Sequence, residues 1–293
     1  MSLPDHISVA LLLPRPASVD VRKLRAHLNG IMSASGMRFD TFAARHGVTL
    51  AADGLSIELR ERDLPLIPSR LEPALSSGLQ DYLNEDWSDL VALHRAAITL
   101  DLRRTPIRRS KASLSGEQTA DPAAPAPHTR ETMDLMLMAG HVAAAYMTRT
   151  ARPVAIYWGA SQRIFPTPRF RAMEGMLFPL PLFLHPRPVR ELTDDRQTLP
   201  EFELLGASSL IGCSLRVAPA RMRFDWMMKR VLAFVAHVRA NNGILSDGSS
   251  FGLEEGERFT VRRTADGGVG LVLAERKGLP VNRHTADYFE VVA

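Results

Sequence analysis

Residues 154–158, Val154-Ala155-Ile156-Tyr157-Trp158, are apolar without alternation and stop at Gly159. A short run rich in β-branched and aromatic side chains predicts a strand covered on both faces. Pro153 stands at its first position, where no ladder hydrogen bond is lost. The residues after Gly159 are small and polar, Ala160-Ser161-Gln162, and Pro166 and Pro168 bracket the loop beyond. A strand of this kind needs covering layers. Residues 133–147 are apolar nearly all round, which predicts a helix buried between a sheet and a further layer. The ring of Trp158 is expected to be buried against that helix. The turn carrying Ser161, Gln162 and Arg163 is expected to stay accessible, as loops on a rigid scaffold do.

The other elements follow in order around this centre. Residues 7–13 read as a strand. Ser18 is placed to cap a helix whose apolar positions Val21, Leu24, Leu28 and Ile31 recur at helical spacing. Asp53-Gly54 lies between two apolar runs and predicts a hairpin turn. Ser69 is placed to cap a helix through about residue 83. Ile98, Leu100 and Leu102 alternate with polar residues and predict a strand. The resulting order is that of a ferredoxin-like unit. Residues 106–127 hold few core-forming side chains among Ser, Ala, Pro and Arg, so nothing there offsets ordering entropy. The chain is therefore expected to divide into an N-terminal α+β half at 1–104, a disordered basic linker at 105–127 and a C-terminal α+β half at 128–293. Each half is expected to be an antiparallel sheet with helices mainly on one face.

In the second half, residues 201–205 and 210–217 read as paired strands, and 177–184 as extended. His185-Pro186-Arg187-Pro188 reads as a stiff turn. The apolar stripe Phe224, Met227, Met228, Val231, Phe234, Val235 and Val238 predicts a helix, with Asp225, Lys229, Arg230 and Arg239 on its outer side. Ala265-Asp266-Gly267-Gly268 predicts a second hairpin.

Three short stretches carry a resemblance. Ala155-Ile156-Tyr157-Trp158-Gly159 resembles a strand of the DUF4261 family, bacterial proteins of unknown function. Residues 206–224 and the turn Asp247-Gly248-Ser249-Ser250-Phe251-Gly252 fit the same pattern. The resemblance covers roughly the C-terminal half and implies no catalytic residues.

Chemistry is sparsely signalled. There is no phosphate-binding glycine loop followed by lysine, and no HExxH, CxxC or calcium-loop spacing. One cysteine, Cys213, excludes an internal disulfide framework. Asp134 and His141 lie seven apart on the 133–147 helix and read as a semi-buried pair, not a metal site. Lys and Arg exceed Asp and Glu by only four, and the densest cluster, Arg103 to Lys111, lacks aromatics to stack on bases. No run approaches the apolar length of a membrane span, and a cytoplasmic location is expected. The reading is a non-catalytic bacterial binding or accessory protein, immunity-like or associated with a secretion system, with no cofactor and no metal. Its partner, expected to be another protein, is placed at two turns, through Trp158, Ser161, Gln162 and Arg163 on one and Asp247, Ser249 and Glu254 on the other. The alternatives are an enzyme with no recognisable motif and an RNA-associated protein using the arginine-rich linker.

Overall fold

The computed structural model describes residues 4–75, 87–105, 130–189, 199–241, 243, 245–277 and 279–280. The chain is an α+β protein with two sheets. The first sheet has the order β2-β3-β4-β5-β1-β6-β7. Its strands are β1 (His6–Leu13), β2 (Asp40–Ala44), β3 (Gly47–Ala52), β4 (Leu55–Arg62), β5 (Ala96–Arg104), β6 (Ala155–Trp158) and β7 (Arg163–Pro166). Every neighbouring pair is antiparallel. The expected hairpin at Asp53-Gly54 joins β3 to β4, with Ala52 opposite Leu55. Strand β2 was not foreseen. It makes three strands between the first helix and β5 where the ferredoxin-like reading has two.

β6 pairs with β1, Val9 opposite Trp158. The first sheet thus takes strands from both sides of the proposed linker. Ser69 caps no helix: it sits inside a 3-10 turn, Pro68–Arg70, and the helix that follows starts at Glu72. Residues 106–129, which hold nearly all of that linker, the predicted helix beyond residue 75 and the chain after 280 lie outside the described residues.

Both faces of the central strands are covered, which explains runs without alternation. On β1, Ile7, Val9, Leu11 and Leu13 join one large core, while Ala10 and Leu12 join another. The large core is supplied by α1 (Val21–Met32) and α4 (Arg130–Ala151). The smaller one is closed by Leu66, Leu71, Ala74 and Val91. These come from the stretch that carries α2 (Glu72–Leu75) and α3 (Ser88–Ala92). The two long helices therefore share one face, and only short helical turns cover the other. α1 is capped by Asp20, which accepts from the Lys23 N–H, and not by Ser18. The carboxylate at the N-cap reaches the third helical N–H directly, the geometry that capping requires.

The second sheet runs β11-β12-β13-β10-β9-β8, with β14 (Leu279–Pro280) on β13. Its strands are β8 (His185–Pro188), β9 (Phe202–Leu205), β10 (Leu215–Val217), β11 (Ser250–Phe251), β12 (Glu257–Arg263) and β13 (Val269–Arg276). β10 and β13 are parallel; the other pairs are antiparallel. The hairpin read at 265–268 joins β12 to β13. Three local readings are corrected. Residues 185–188 form an edge strand, where prolines are tolerated because no outward N–H is needed. After α5 (Thr167–Arg171), Leu180–Phe183 is a short helix, α6, begun by Pro179 and Pro181. Leu210 and Ile211 close another, α7 (Ala207–Ile211), so only Leu215–Val217 pairs as β10. Gly206 and Gly212 sit at left-handed φ at the two ends of α7. They turn an apolar run that resembles a strand into one helical turn between two strands.

One hydrophobic core joins the two sheets. It holds Val9 and Ile57 of the first, Phe202, Val217 and Phe259 of the second, and Met133, Met136 and Leu137 of α4 between them. α8 (Phe224–Ala240) adds Met227, Val231, Phe234 and Val235. Asp134 on α4 does not pair with His141. It takes both guanidinium nitrogens of Arg239 on α8, at 2.9 and 2.8 Å. Arg130 donates to the Leu210 carbonyl from the same helix.

Candidate partner-binding site

The two turns expected to share a partner behave differently. Trp158 is fully buried, as expected, and its ring lies against Phe183 with centroids 5.4 Å apart. Gly140 of α4 permits this, because a Cβ there would stand 3.2 Å from the indole Cη2. The indole N–H meets no acceptor. The turn after it is not open. Ser161 is buried and donates to the Leu182 carbonyl at 3.0 Å. Arg163 is buried too, with Nη1 donating to the Pro181 carbonyl at 3.4 Å and its guanidinium over Phe165. His185 on β8 donates to the Ser161 carbonyl at 3.2 Å. Burial first, then Arg163 and Arg187, push the His185 pKa down to about 4, so it stays neutral. Gln162 is half-buried and holds a left-handed backbone with φ of 49°, a conformation costly for a residue with a side chain.

These contacts make the turn a joint between the sheets. Gly159 donates to Ser8 at 2.8 Å, and no side chain fits there, since a Cβ would lie 2.3 Å from Ser8 Oγ. On the other side sit α6 and β8. The expectation of an accessible turn is therefore corrected: its polar side chains satisfy backbone carbonyls brought in by tertiary packing. A buried serine whose hydroxyl proton goes to a carbonyl is also no activated nucleophile.

The second turn is open. Asp247 is exposed, with Oδ1 accepting from the Arg263 N–H at 2.8 Å and Oδ2 3.7 Å from Arg262. Gly248 and Ser249 are tied to β12 by backbone bonds, Gly248 N–H to the Val261 carbonyl and Val261 N–H to the Ser249 carbonyl. Ser249 is half-buried, and Leu253, Glu254 and Glu255 beyond it are exposed. Leu253 leaves 43% of its surface in water.

Beneath this turn lies an arginine that the helical pattern placed on the outer side of α8. Arg230 is buried, its side chain 4% exposed. It donates to Glu257 twice, at 3.2 and 2.5 Å, and to Glu254 at 2.8 Å. Its guanidinium also lies 4.0 Å over the Trp226 ring. The Glu257 side chain is 3% exposed, but that of Glu254 is 64% exposed. The hydrogen bonds that Arg230 donates to Glu257 hold its pKa above the ordinary value, so it is charged throughout. One buried cation thus neutralises a buried carboxylate and fixes an exposed one. The readable signal was the cluster Glu254, Glu255 and Glu257 after a glycine turn, with an arginine at the edge of a helix stripe.

The two turns do not form one site. The Ser161 turn packs on β8 and the Asp247 turn leads into β11, at opposite edges of the second sheet. Five interstrand steps of about 4.8 Å separate those edges, on the order of 24 Å. Among the described residues no group of three or more His, Cys, Asp or Glu is arranged to hold a metal ion, and no helix is long and apolar enough to cross a membrane. No family model, curated protein or solved structure matches the chain.

Proposed function

We propose that this chain is a non-catalytic binding protein that holds another protein at the 247–255 turn. The observation that carries the reading is the pairing of buried Arg230 with exposed Glu254. Fixing an exposed carboxylate before a partner arrives lowers the ordering cost of binding. Leu253 beside it adds exposed apolar surface, and Glu255 adds charge. The chemistry suits a partner with an apolar contact rimmed by Lys or Arg. Membership of the DUF4261 family, and a role as an immunity-like or secretion-associated accessory protein in the bacterial cytoplasm, belong to this same reading.

The test is affinity capture on the immobilised chain, comparing the parent with Leu253→Asp and with Glu254→Arg. The reading expects one protein retained by the parent and lost with both variants, with the variants folded as the parent is. Equal retention by all three would remove the turn from the site.

A further inference from the structure

We propose that the exposed edge of the first sheet is a self-association surface, on which β2 pairs with β2 of a second copy of the chain. The inference stands apart from the 247–255 turn, which lies on the other sheet.

An outer strand presents unpaired N–H and C=O groups, and proteins guard such edges with proline, lysine, bulges, brevity or cover. Among the described residues the other outer strands are guarded, the two-residue β14 by Pro280. β7 is buried at Arg163, Ile164 and Phe165. β8 carries Pro186 and Pro188, and β11 is two residues long. Among the described residues β2 has no such device. Its five residues, Asp40-Thr41-Phe42-Ala43-Ala44, pair with β3 in an unbroken register and contain neither proline nor lysine. The first four are exposed, and Phe42 at the centre is 56% exposed. Alternate residues of an antiparallel strand turn their N–H and C=O outward, ready for a further strand.

The second copy is favoured because the strand complements itself. Antiparallel pairing about a two-fold axis at Phe42 puts Phe42 opposite Phe42 of the second copy, and Asp40 opposite Ala44. The tip of the second hairpin, Arg45-His46, then comes beside Asp40 at each end, an acid against a base twice over. Asp40, Phe42, Arg45 and His46 are exposed, Ala44 is half-buried, and Arg38 lies before the paired stretch. One patch serves both subunits, which is what a closed two-fold dimer requires. The aromatic pair gains cross-strand contact at the position where side chains approach most closely.

The experiment is sedimentation equilibrium of the full chain over a concentration series. The parent is expected to approach twice the 32.4 kDa of one chain. Phe42→Lys, which adds the missing guard on an exposed site, is expected to stay at one chain and to unfold at the midpoint the parent shows when diluted to monomer. A parent that stays monomeric overturns the proposal, as does a Phe42→Lys variant that still doubles in mass. Register is read by oxidation. Phe42→Cys places two thiols on Cα atoms about 4.5–5.5 Å apart, within disulfide reach, and should cross-link. Asp40→Cys faces alanine and should not; equal cross-linking of both contradicts the pairing. An extended segment of a different protein taking up this edge in place of the second copy would also overturn it.

Discussion

Glu257→Ala is the perturbation that most sharply divides the buried part of the Arg230 cluster from its exposed part. The variant leaves a guanidinium with a 4% exposed side chain facing one remaining partner, Glu254, which is itself mostly in water. Removing one member of a buried ion pair costs about 3–5 kcal/mol, because the other charge stays desolvated. Glu254 and the Trp226 ring remain, which places the expected loss near the lower end, about 3 kcal/mol. Glu254→Ala removes an exposed partner and leaves the buried pair intact, so it should cost only about 0–1 kcal/mol. Replacing both buried partners, Arg230→Met with Glu257→Met, removes the buried charges together and should cost less than Glu257→Ala alone. The assay is urea unfolding of all four proteins with slopes compared, since an unchanged slope makes the midpoint a measure of stability. Glu257→Ala matching the parent, or Glu254→Ala as damaging as Glu257→Ala, would refute the division of labour.

Other outcomes follow from single contacts. Trp158→Ala should lose about 3–5 kcal/mol in the same unfolding assay by emptying the space between β6 and α4, while Trp158→Phe should lose clearly less, because the indole N–H has no acceptor to forfeit. Gly206→Ala should destabilise by more than about 1 kcal/mol, since φ is 88° and a Cβ would lie 1.9 Å from the Phe183 carbonyl oxygen. His141 is buried with both ring nitrogens unpartnered, and burial lowers its pKa from 6.5 to about 4. A folded-state value below the unfolded one means the unfolded chain binds more protons, so stability is full above pH 6.5 and falls as pH drops toward 4. His141→Leu should remove about 3 kcal/mol of that fall, read as the difference between the two proteins' unfolding free energies across this range; an unchanged slope would contradict the burial argument.

Much of the frame was legible because burial on two faces leaves a simple mark. Val9 to Leu13 of β1 and all of β6 are uninterrupted apolar runs, and the two Asp-Gly turns mark the β3–β4 and β12–β13 hairpins. β2 was invisible because Asp-Thr-Phe-Ala-Ala lies at an edge with four of its five residues exposed, so no apolar pattern was required. α7 was hidden because Leu210 and Ile211 are apolar for the core whether helical or extended; only Gly206 and Gly212, at positive φ, decide between the two. The site was read less well. Ser161 and Arg163 look like a surface turn, but α6 and β8 arrive from later in the chain to cover them. Arg230 looks outward on a helical wheel, yet β12 brings Glu257 across to bury it. In each case the deciding partner is distant in sequence, where local periodicity carries no information.

In the proposed function a partner docks at the 247–255 turn, held by Arg230. Hydrogen exchange of the chain alone and with its captured protein tests it most directly. New protection is expected at residues 247–255 and none at 159–163, which is already closed by packing. Protection at 159–163 with the 247–255 turn unchanged would contradict it.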